Sequence, residues 1–495
     1  VVQLEESGKK KEKEQAVKVL LDFHSWMRGL RFLDPACGSG NFLYVTMAAV
    51  KRVEHEVLNE IQRVSGGQGG LVLDEVHPRQ FHGIEIKPWA REIAELTLWI
   101  GYHQFWRETH GGRTPPDPIL EDTGTIECRD AILAYDAVVH RPEKDRADTA
   151  LRLRSPVTGE MIPDPDAKLP YYEFANARAA DWPQADFIVG NPPYVGNKRL
   201  RAALGDGYVE ALRSAWPDVT EGADFVMYWW AEAARLVASG KTLRAGLITT
   251  NSIVQASNRV IVAEAEQRGA RVIWAAPDHP WDGAGDAAAV RVAMTVLARG
   301  AGPATWLAVD QDARVVRTKV VDRLNADLTW HADVPTAAAV PLRANAGLSF
   351  RGFTVVGSGF ILDEAEARRL LDADPKYEEV VRPYVNGGDI TRRSRGVWII
   401  DMGLRTEAEA REYPLAFQIL QDRVWPERRN NKRQSYRTLW WRFAEPRRAL
   451  RTATDGKLTQ IFTTYVATHR TFQFFSTHVA PDDKVVVIAH RSPVL

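Results

Sequence analysis

Short apolar runs alternate with longer stretches of helical periodicity between about residue 30 and residue 299. The runs are 30–34 (LRFLD), 80–86 (QFHGIEI), 126–130 (IECRD), 187–191 (FIVGN), 245–250 (AGLITT), 271–275 (RVIWA) and 290–297 (VRVAMTVL). Between them, 42–61, 88–103, 224–238 and 258–267 space their apolar residues at helical intervals. Alternation of strands and helices over this length predicts an α/β doubly wound sheet. Residues 1–28 read as a charged helical lead-in. A Gly-rich stretch at 65–78 and a polar, proline-punctuated one at 135–182 break the pattern and are expected as surface excursions. Beyond about residue 300 the alternation stops and Arg and aromatic residues become frequent. The expected divisions are therefore 1–29, 30–330 and a second, α+β domain over 331–495 that is incomplete at its C-terminal end.

Composition changes this picture little. The chain has 495 residues, 64 basic and 64 acidic side chains and no net charge, so a nucleic-acid partner would have to be met by locally segregated charge. Two cysteines, Cys37 and Cys128, make neither a disulfide framework nor a zinc site, so no metal is expected and a reducing, cytoplasmic setting fits best. No run approaches the roughly 18 apolar residues of a membrane span, and the charged start is not a signal peptide. A start at Val1 and a stop at Leu495, soon after the strand-like run 484–489, read as the ends of a piece of a longer protein.

Four features carry chemistry. The first is Asp34-Pro35-Ala36-Cys37-Gly38-Ser39-Gly40-Asn41-Phe42, which follows the first strand and opens a helix. Its glycines let the backbone turn sharply against a ligand, and the helix start behind them offers unpaired N–H groups. The Walker lysine is missing, which argues against a phosphate loop. The second is Glu85, followed by Ile86, at the end of the second strand, where a carboxylate can accept from both hydroxyls of a ribose. The third is Asp130, followed by Ala131, closing the third strand. It is placed to accept from an adenine amino group, and otherwise caps its loop.

The fourth feature is Asn191-Pro192-Pro193-Tyr194, directly after an apolar strand. Two prolines fix the backbone and remove two N–H donors, leaving carbonyls to face a pocket. The Asn191 side-chain carbonyl and the Pro192 main-chain carbonyl can both accept from an NH2 group. Such acceptors favour a geometry in which an aromatic amine's lone pair can face a methyl–sulfonium carbon, so alignment replaces a strong general base. Tyr194 offers a ring face for stacking a base.

With these residues in place the chain resembles the amino-group DNA methyltransferases, and among them the MmeI-like (type IIL) enzymes and the adenine methyltransferases of phage-defence systems such as DISARM and BREX. The likeness rests on FLDPACGSGNFLYV (32–45), FHGIEIKPWAREIAELTLWIGY (81–102), GNPPYVGNKRLR (190–201), GLITTNSI (246–253) and DAAAVRVAMTVL (286–297). GSGFILDEAEARRLL (357–371) and VRPYVNGGDI (381–390) resemble the family's recognition region. The resemblance implies a class I Rossmann-like fold with a C-terminal target-recognition domain, S-adenosyl-L-methionine as cofactor and adenine N6 in double-stranded DNA as substrate. It also implies a place in a restriction–modification or phage-defence system, with other subunits of such a system as partners. Asp34, Cys37, Gly38 and Gly40 would line the methionine end of the cofactor. Glu85 would hold its ribose and Asp130 its adenine, while Asn191, Pro192 and Tyr194 hold the target base. No Thr-Pro-type segment stands upstream of residue 30, and no nuclease carboxylate–Lys cluster is present.

A base inside a duplex must be flipped out to reach a buried methyl donor. Tyr194 is the first candidate to stack on it and Trp281 the second. Lys198, Arg199 and Arg201, just past the catalytic turn, could steer phosphates. Residues 421–451 carry ten basic and three acidic side chains interleaved with Trp425, Tyr436, Trp440, Trp441 and Phe443. From this segment Arg428, Arg429, Lys432 and Arg433 are expected at DNA, against the alternative of a solvated surface over an aromatic core. Competing readings of the whole chain are a protein-glutamine or RNA methyltransferase, the methylase part of a bifunctional restriction enzyme, and a DNA-binding subunit without activity.

Overall fold

The computed structural model describes residues 10–66, 75–109, 112, 124–148, 151–154, 161–164, 166–281, 290–332, 342–429, 431, 433–467 and 469–489. They form two compact units, Val1–Asp333 and Val334–Leu495. Lys432, residues 1–9 of the lead-in and 67–74 of the Gly-rich stretch lie outside the described residues.

The N-terminal unit is built on a nine-stranded sheet. Its strands are β1 (Phe32–Asp34), β2 (Phe81–Glu85), β3 (Ile126–Cys128), β4 (Phe187–Gly190), β5 (Arg244–Thr250), β6 (Ala270–Trp281), β7 (Val290–Arg299), β8 (Ala304–Val309) and β9 (Val315–Val321). They lie in the order β9-β8-β6-β7-β5-β4-β1-β2-β3. Strands β1 to β5 pair in parallel, and β7 runs antiparallel between β5 and β6. This is the doubly wound sheet that the alternation predicts, with an antiparallel strand inserted. The order reverses between β1 and β4, and ligands of such sheets bind at that reversal, beyond the carboxyl ends of the strands.

Alternation along three short strands explains why both faces are covered. Phe32, Phe81 and Phe187 stand side by side on one face, with ring centroids 4.9 and 5.5 Å apart. They pack under α2 (Asn41–Ser65) and α3 (Pro88–Thr109) with Leu43, Met47, Ala94 and Leu98. Leu33, Ile84 and Ile188 point the other way. They join the larger core under α4 (Asp206–Ala215), α5 (Val226–Ala238) and α6 (Ala256–Gln267). The lead-in forms α1 (Lys10–Gly29), which packs Met27 on Val57 and Ile61 of α2. Buried His24 and Lys51 meet the same carboxylate, Glu54, at 2.9 and 2.7 Å.

The structure departs from the expected elements in three places. β6 continues to Trp281 instead of stopping at 275, and β8 and β9 extend the sheet beyond residue 299. The 135–182 stretch, expected as a surface excursion, is built of short paired strands. Leu133–Ala134, Ala137–His140, Arg146–Ala147 and Arg152–Arg154 pair in nested antiparallel register with Arg178–Ala179, Tyr172–Ala175, Lys168–Leu169 and Met161–Pro163, as one long hairpin arm. Asp130 lies in the turn after β3, not on the strand.

The C-terminal unit is α+β. β10 (Ser349–Arg351), β14 (Thr459–Thr464), β15 (Gln473–Ser476) and β17 (Val485–Ile488) make one sheet, in the order β10-β17-β14-β15. β11 (Ile361–Leu362), β12 (Val381–Val385), β13 (Trp398–Ile400) and β16 (Ala480–Pro481) make another, ordered β11-β13-β12-β16. Helix α7 (Glu364–Ala373) starts with a capping box, Asp363 accepting from the Glu366 N–H and Glu366 reaching back. Helix α8 (Pro414–Arg423) supplies Phe417 and Leu420 to a core that also holds Phe360, Tyr377, Trp440, Trp441 and Phe462. Asp401 is buried between Arg382 and Arg451 at 2.8 and 2.6 Å and accepts from the Gly403 N–H.

Candidate active site

The first three chemical motifs stand on the loops at the carboxyl ends of β1, β2 and β3, and the fourth follows β4 beside them. After β1 the chain turns through Pro35 to Gly40. Gly40 adopts φ 83°, and a Cβ there would stand 2.9 Å from the Ala94 Cα, so only glycine lets α2 start this close to α3. The Cys37 N–H donates to the Ile84 carbonyl and the Gly38 N–H to Glu85 Oε2, at 3.1 and 3.0 Å, so the turn is tied to the end of β2. Glu85 Oε1 accepts from the Lys87 N–H. Ile86 is exposed beside it, and Asn41 and Phe42 form the first turn of α2.

Asp34 is the electrostatic anomaly of the site. It is 1% exposed, and its Oδ1 accepts from the Ala36 N–H at 3.0 Å. Its Oδ2 is buried with no protein partner. Burial pushes its carboxyl up to about 7, against the pull of the Ala36 N–H and with the charge of Glu85 adding to the rise. Burial, with Asp34 and Glu85 nearby, also raises the Cys37 thiol, so Cys37 is a packed apolar group and not a nucleophile. A Cβ on Gly190 would come within 2.8 Å of Asp34 Oδ1, so this carboxylate lies directly under the residue that precedes Asn191.

Asp130 caps its own turn. Its Oδ1 accepts from the Ile132 and Leu133 N–H groups, and its Oδ2 accepts from the Tyr208 hydroxyl at 2.7 Å. Both oxygens already have donors, so an adenine amino group would have to share or replace the tyrosine. Three indoles pin these turns by donating to their carbonyls: Trp229 to Pro35, Trp182 to Ala131 and Trp216 to Ile132, at 2.9, 2.7 and 2.9 Å. All three indole hydrogen bonds are buried, where an unmet carbonyl would be costly.

In the Asn191–Tyr194 turn, Pro192 is buried, Pro193 exposed and Tyr194 half-buried. The Tyr194 hydroxyl donates to Asn191 Oδ1, so the acceptor expected for the target amine is covered by the motif's own tyrosine. The chain that follows is held by Asp224. Its Oδ1 accepts from the Asn197 N–H, and its Oδ2 from the Ser252 hydroxyl and the Asn258 amide. Asn258 is buried, and its Oδ1 accepts from the Asp224 N–H. Asp224, Ser252 and Asn258 were missed by sequence reasoning, as were Tyr208 and the three tryptophans. Position was the available signal for Ser252, since GLITTNSI runs off the end of β5, the strand parallel to β4, into the turn Asn251–Val254.

The DNA candidates separate. Lys198 and Arg199 are exposed on a short turn just past the motif. Arg201 bridges Asp206 and Glu210 at 3.0 and 3.2 Å, so its charge is locally matched. Trp281, at the end of β6, is half-buried in the ladder with Val290. In the C-terminal unit Arg429 and Arg433 are exposed, with Arg433 donating to the Tyr436 hydroxyl. Arg428 corrects the expectation. It is 3% exposed, and its guanidinium donates to the carbonyls of Trp440, Arg442, Val355 and Val356 at 2.6–3.2 Å. Val356 has φ 56°, a strained conformation for a β-branched residue, and Arg428 clamps it. Trp440, Trp441 and Phe443 are buried too, so these aromatics of the 421–451 segment are core and not a binding face.

A doubly wound sheet with these turns at its switch point defines the class I methyltransferases. Residues 4–305 match the family described as MmeI, DNA-methyltransferase domain, and the chain belongs to that family. A relative, DNA methyltransferase A of Bacillus subtilis (strain 168), is 26% identical over 368 residues, which cover 72% of this chain and 35% of the relative. The solved structure of the type IIL restriction-modification enzyme MmeI in complex with DNA aligns with a TM-score of 0.66 at 20% identity, over 96% of this chain and 59% of that one. The chain therefore spans less than two thirds of the length of either. The family expected from the motifs is the family found.

Among the described residues no helix is long and apolar enough to cross a membrane, and no group of His, Cys, Asp or Glu is arranged to hold a metal ion.

Proposed function

We propose that the chain is the methyl-transfer and target-recognition part of an S-adenosylmethionine-dependent DNA methyltransferase that acts on the N6 amine of adenine in duplex DNA, within a restriction–modification or phage-defence system. A cytoplasmic setting and association with further subunits of such a system belong to the same reading. The observation that carries it is the Asn191–Tyr194 turn, standing at the switch point beside the Asp34–Gly40 turn.

The residues present fit the cofactor. Asp34 offers a buried oxygen that no protein group completes, which suits a ligand carrying an ammonium and a sulfonium. A Cβ built on Gly38 meets nothing within 4 Å, so the turn leaves open space where a ligand can approach backbone. Glu85 would take the ribose, Ile86 the face of the adenine ring, and the Asp130–Ala131 turn its edge. When bound, S-adenosylmethionine supplies a methyl group activated by the sulfonium that carries it. Asn191 Oδ1 and the Pro192 carbonyl accept the two amine hydrogens and so orient the nitrogen lone pair. Tyr194 stacks on the flipped base, and its hydroxyl must leave Asn191 Oδ1 as the amine arrives. Lys198 and Arg199, exposed just past this turn, would contact phosphates flanking the flipped nucleotide, with Arg429 and Arg433 as further backbone contacts.

The test incubates the full chain with methyl-labelled S-adenosylmethionine and unmethylated bacterial genomic DNA, beside Asn191→Ala, followed by single-molecule modification mapping. The expected result is N6-methyladenine in one sequence context, lost in the variant. Cofactor binding without DNA label, and with label on a protein or RNA acceptor, would overturn the reading.

A further inference from the structure

With Arg428, Trp440, Trp441 and Phe443 turned into the core, the C-terminal unit needs a ligand surface beyond Arg429 and Arg433. The largest exposed apolar groups of that unit gather on one hairpin, β14–β15. Phe472 and Phe474 are 60% and 58% exposed, Tyr465 and Val466 at the tip 49% and 82%, and Leu458 at the base 87%. A hairpin pays no penalty for one exposed phenylalanine, but a cluster of this size marks a contact surface.

The scaffold beneath is firmly built. β14 and β15 pair from Thr459↔Ser476 to Phe462↔Gln473, and Phe462 stacks on Phe475 at 4.5 Å. The Gln460 amide donates to the Ser476 and Val479 carbonyls, and the Gln473 amide to the Ile390 carbonyl. The Arg470 guanidinium donates to the Thr464 carbonyl across the turn. β15 is the edge strand of its sheet, so its outward backbone groups are open as well.

Charge identifies the occupant. No Asp or Glu occurs between Asp455 and Asp482, while Lys457, His469, Arg470 and His478 do, along with Thr, Gln and Ser. Arg392 lines a groove with Val466 at the hairpin tip; Lys484 and Asp482 line it too, with Lys484 already 3.8 Å from Asp483. A ribbon that carries no carboxylate between residues 456 and 481, with aromatic, hydroxyl and amide side chains and Arg470 and Arg392 at its tip, suits a polyanion whose interior is flat and apolar. A two-stranded ribbon fits the major groove, and exposed rings can wedge between or stack on bases.

We propose that the β14–β15 hairpin is the element with which the C-terminal unit enters a groove of duplex DNA, with Phe472 and Phe474 on the bases and Arg470 and Arg392 on phosphates. This rests on the reading of the chain as a DNA methyltransferase.

The experiment measures binding of the full chain to a pool of labelled random-sequence duplexes, for wild type, Phe472→Ser/Phe474→Ser and Arg470→Ala. Cofactor affinity and solution mass are measured on the same samples. Loss of the two rings is expected to weaken duplex binding about tenfold or more, with cofactor affinity kept. Arg470→Ala is expected to lower the slope of log affinity against log salt by about 1. Duplex binding equal to wild type in the double variant would overturn the proposal. So would a change confined to solution mass, which would make the hairpin a protein–protein edge. Wild type that binds and methylates no duplex would overturn the underlying reading, and the hairpin proposal with it.

Discussion

Among the described residues each unit buries one aspartate completely, and the two are treated in opposite ways. Asp401 is 2% exposed and receives two guanidinium groups and a backbone N–H. Burial alone would raise its carboxyl, but Arg451 and Arg382 hold it below the usual carboxylate range. Asp34 is 1% exposed, receives one backbone N–H, keeps one oxygen orphaned and is pushed up to about 7. The protein completes the first carboxylate itself, which makes it a lock holding β12, β13 and the helix that bears Arg451 together. It leaves the second incomplete, and a native structure tolerates that where something from outside supplies the missing partner.

Asp401→Ala should break the comparison at its strong end. Two mostly buried guanidinium groups would lose their counter-charge, at a cost of about 3–5 kcal/mol. Denaturant unfolding of the full chain would show an early transition of the C-terminal unit, with cofactor affinity unchanged. A loss below about 1 kcal/mol would mean the triad is incidental. Arg428→Ala tests the same principle without a charged partner. It leaves four carbonyls unmet and releases the strained Val356 turn, for an expected loss of about 3 kcal/mol. If duplex binding fell in that variant while the unfolding transition stayed in place, Arg428 would return to the DNA candidates.

The two aspartates should also give stability opposite slopes in pH. The contribution of Asp401 is present above its unfolded value near 3.8 and is lost as pH falls through its depressed folded value. For Asp34 the folded value lies above the unfolded one. Stability is then greatest below 3.8, falls as pH rises toward about 7 and levels beyond. Asp34→Asn keeps an acceptor for the Ala36 N–H, removes that fall and should leave the protein more stable than wild type at pH 8, by up to about 4 kcal/mol. A cationic ligand that needs the ionised carboxylate should bind wild type about tenfold more tightly at pH 8 than at pH 6, and the variant with no such dependence. Identical pH profiles would remove Asp34 from the cofactor site.

How much of this could be read from the sequence follows the same division. Asp34, Gly40, Glu85, Asp130 and Asn191 were legible because each sits next to the strand end or helix start that gives it meaning. The partners that complete these turns were not. Trp229 reaches Pro35 across 194 residues, and Trp216 reaches Ile132 across 84. Nothing in an apolar helix pattern distinguishes a tryptophan that pins a ligand turn from one that only fills space. Arg428 misled for a related reason: its partners are carbonyls, which every residue has, so its burial leaves no trace in charge pattern. β9, reading VVRTKVV, is an exposed edge strand whose alternation is too broken to separate from loop.

The smallest expected effect tests the most delicate contact. Under the proposed function Tyr194 plays two parts, a ring face for the flipped base and a hydroxyl that donates to Asn191 Oδ1 in this structure. Burial raises that hydroxyl above its ordinary value, so it stays protonated and acts as a donor across the working range. On that reading the two parts pull against each other, because the ring would assist the arriving base while the hydroxyl occupies the oxygen the amine would need. Tyr194→Phe separates them. It keeps the face for stacking and uncovers Asn191, so methylation should stay within about threefold of wild type, below roughly 1 kcal/mol of barrier. Tyr194→Ala removes both parts and should lose about tenfold or more, since stacking on a base is worth about 1–3 kcal/mol. Single-turnover methylation of duplex DNA by the three proteins would decide it. If Phe fell as far as Ala, the hydroxyl would be holding Asn191 in place for the amine, and Asn191 would resemble Asp401, a group the protein orients with its own partner, more than it resembles Asp34.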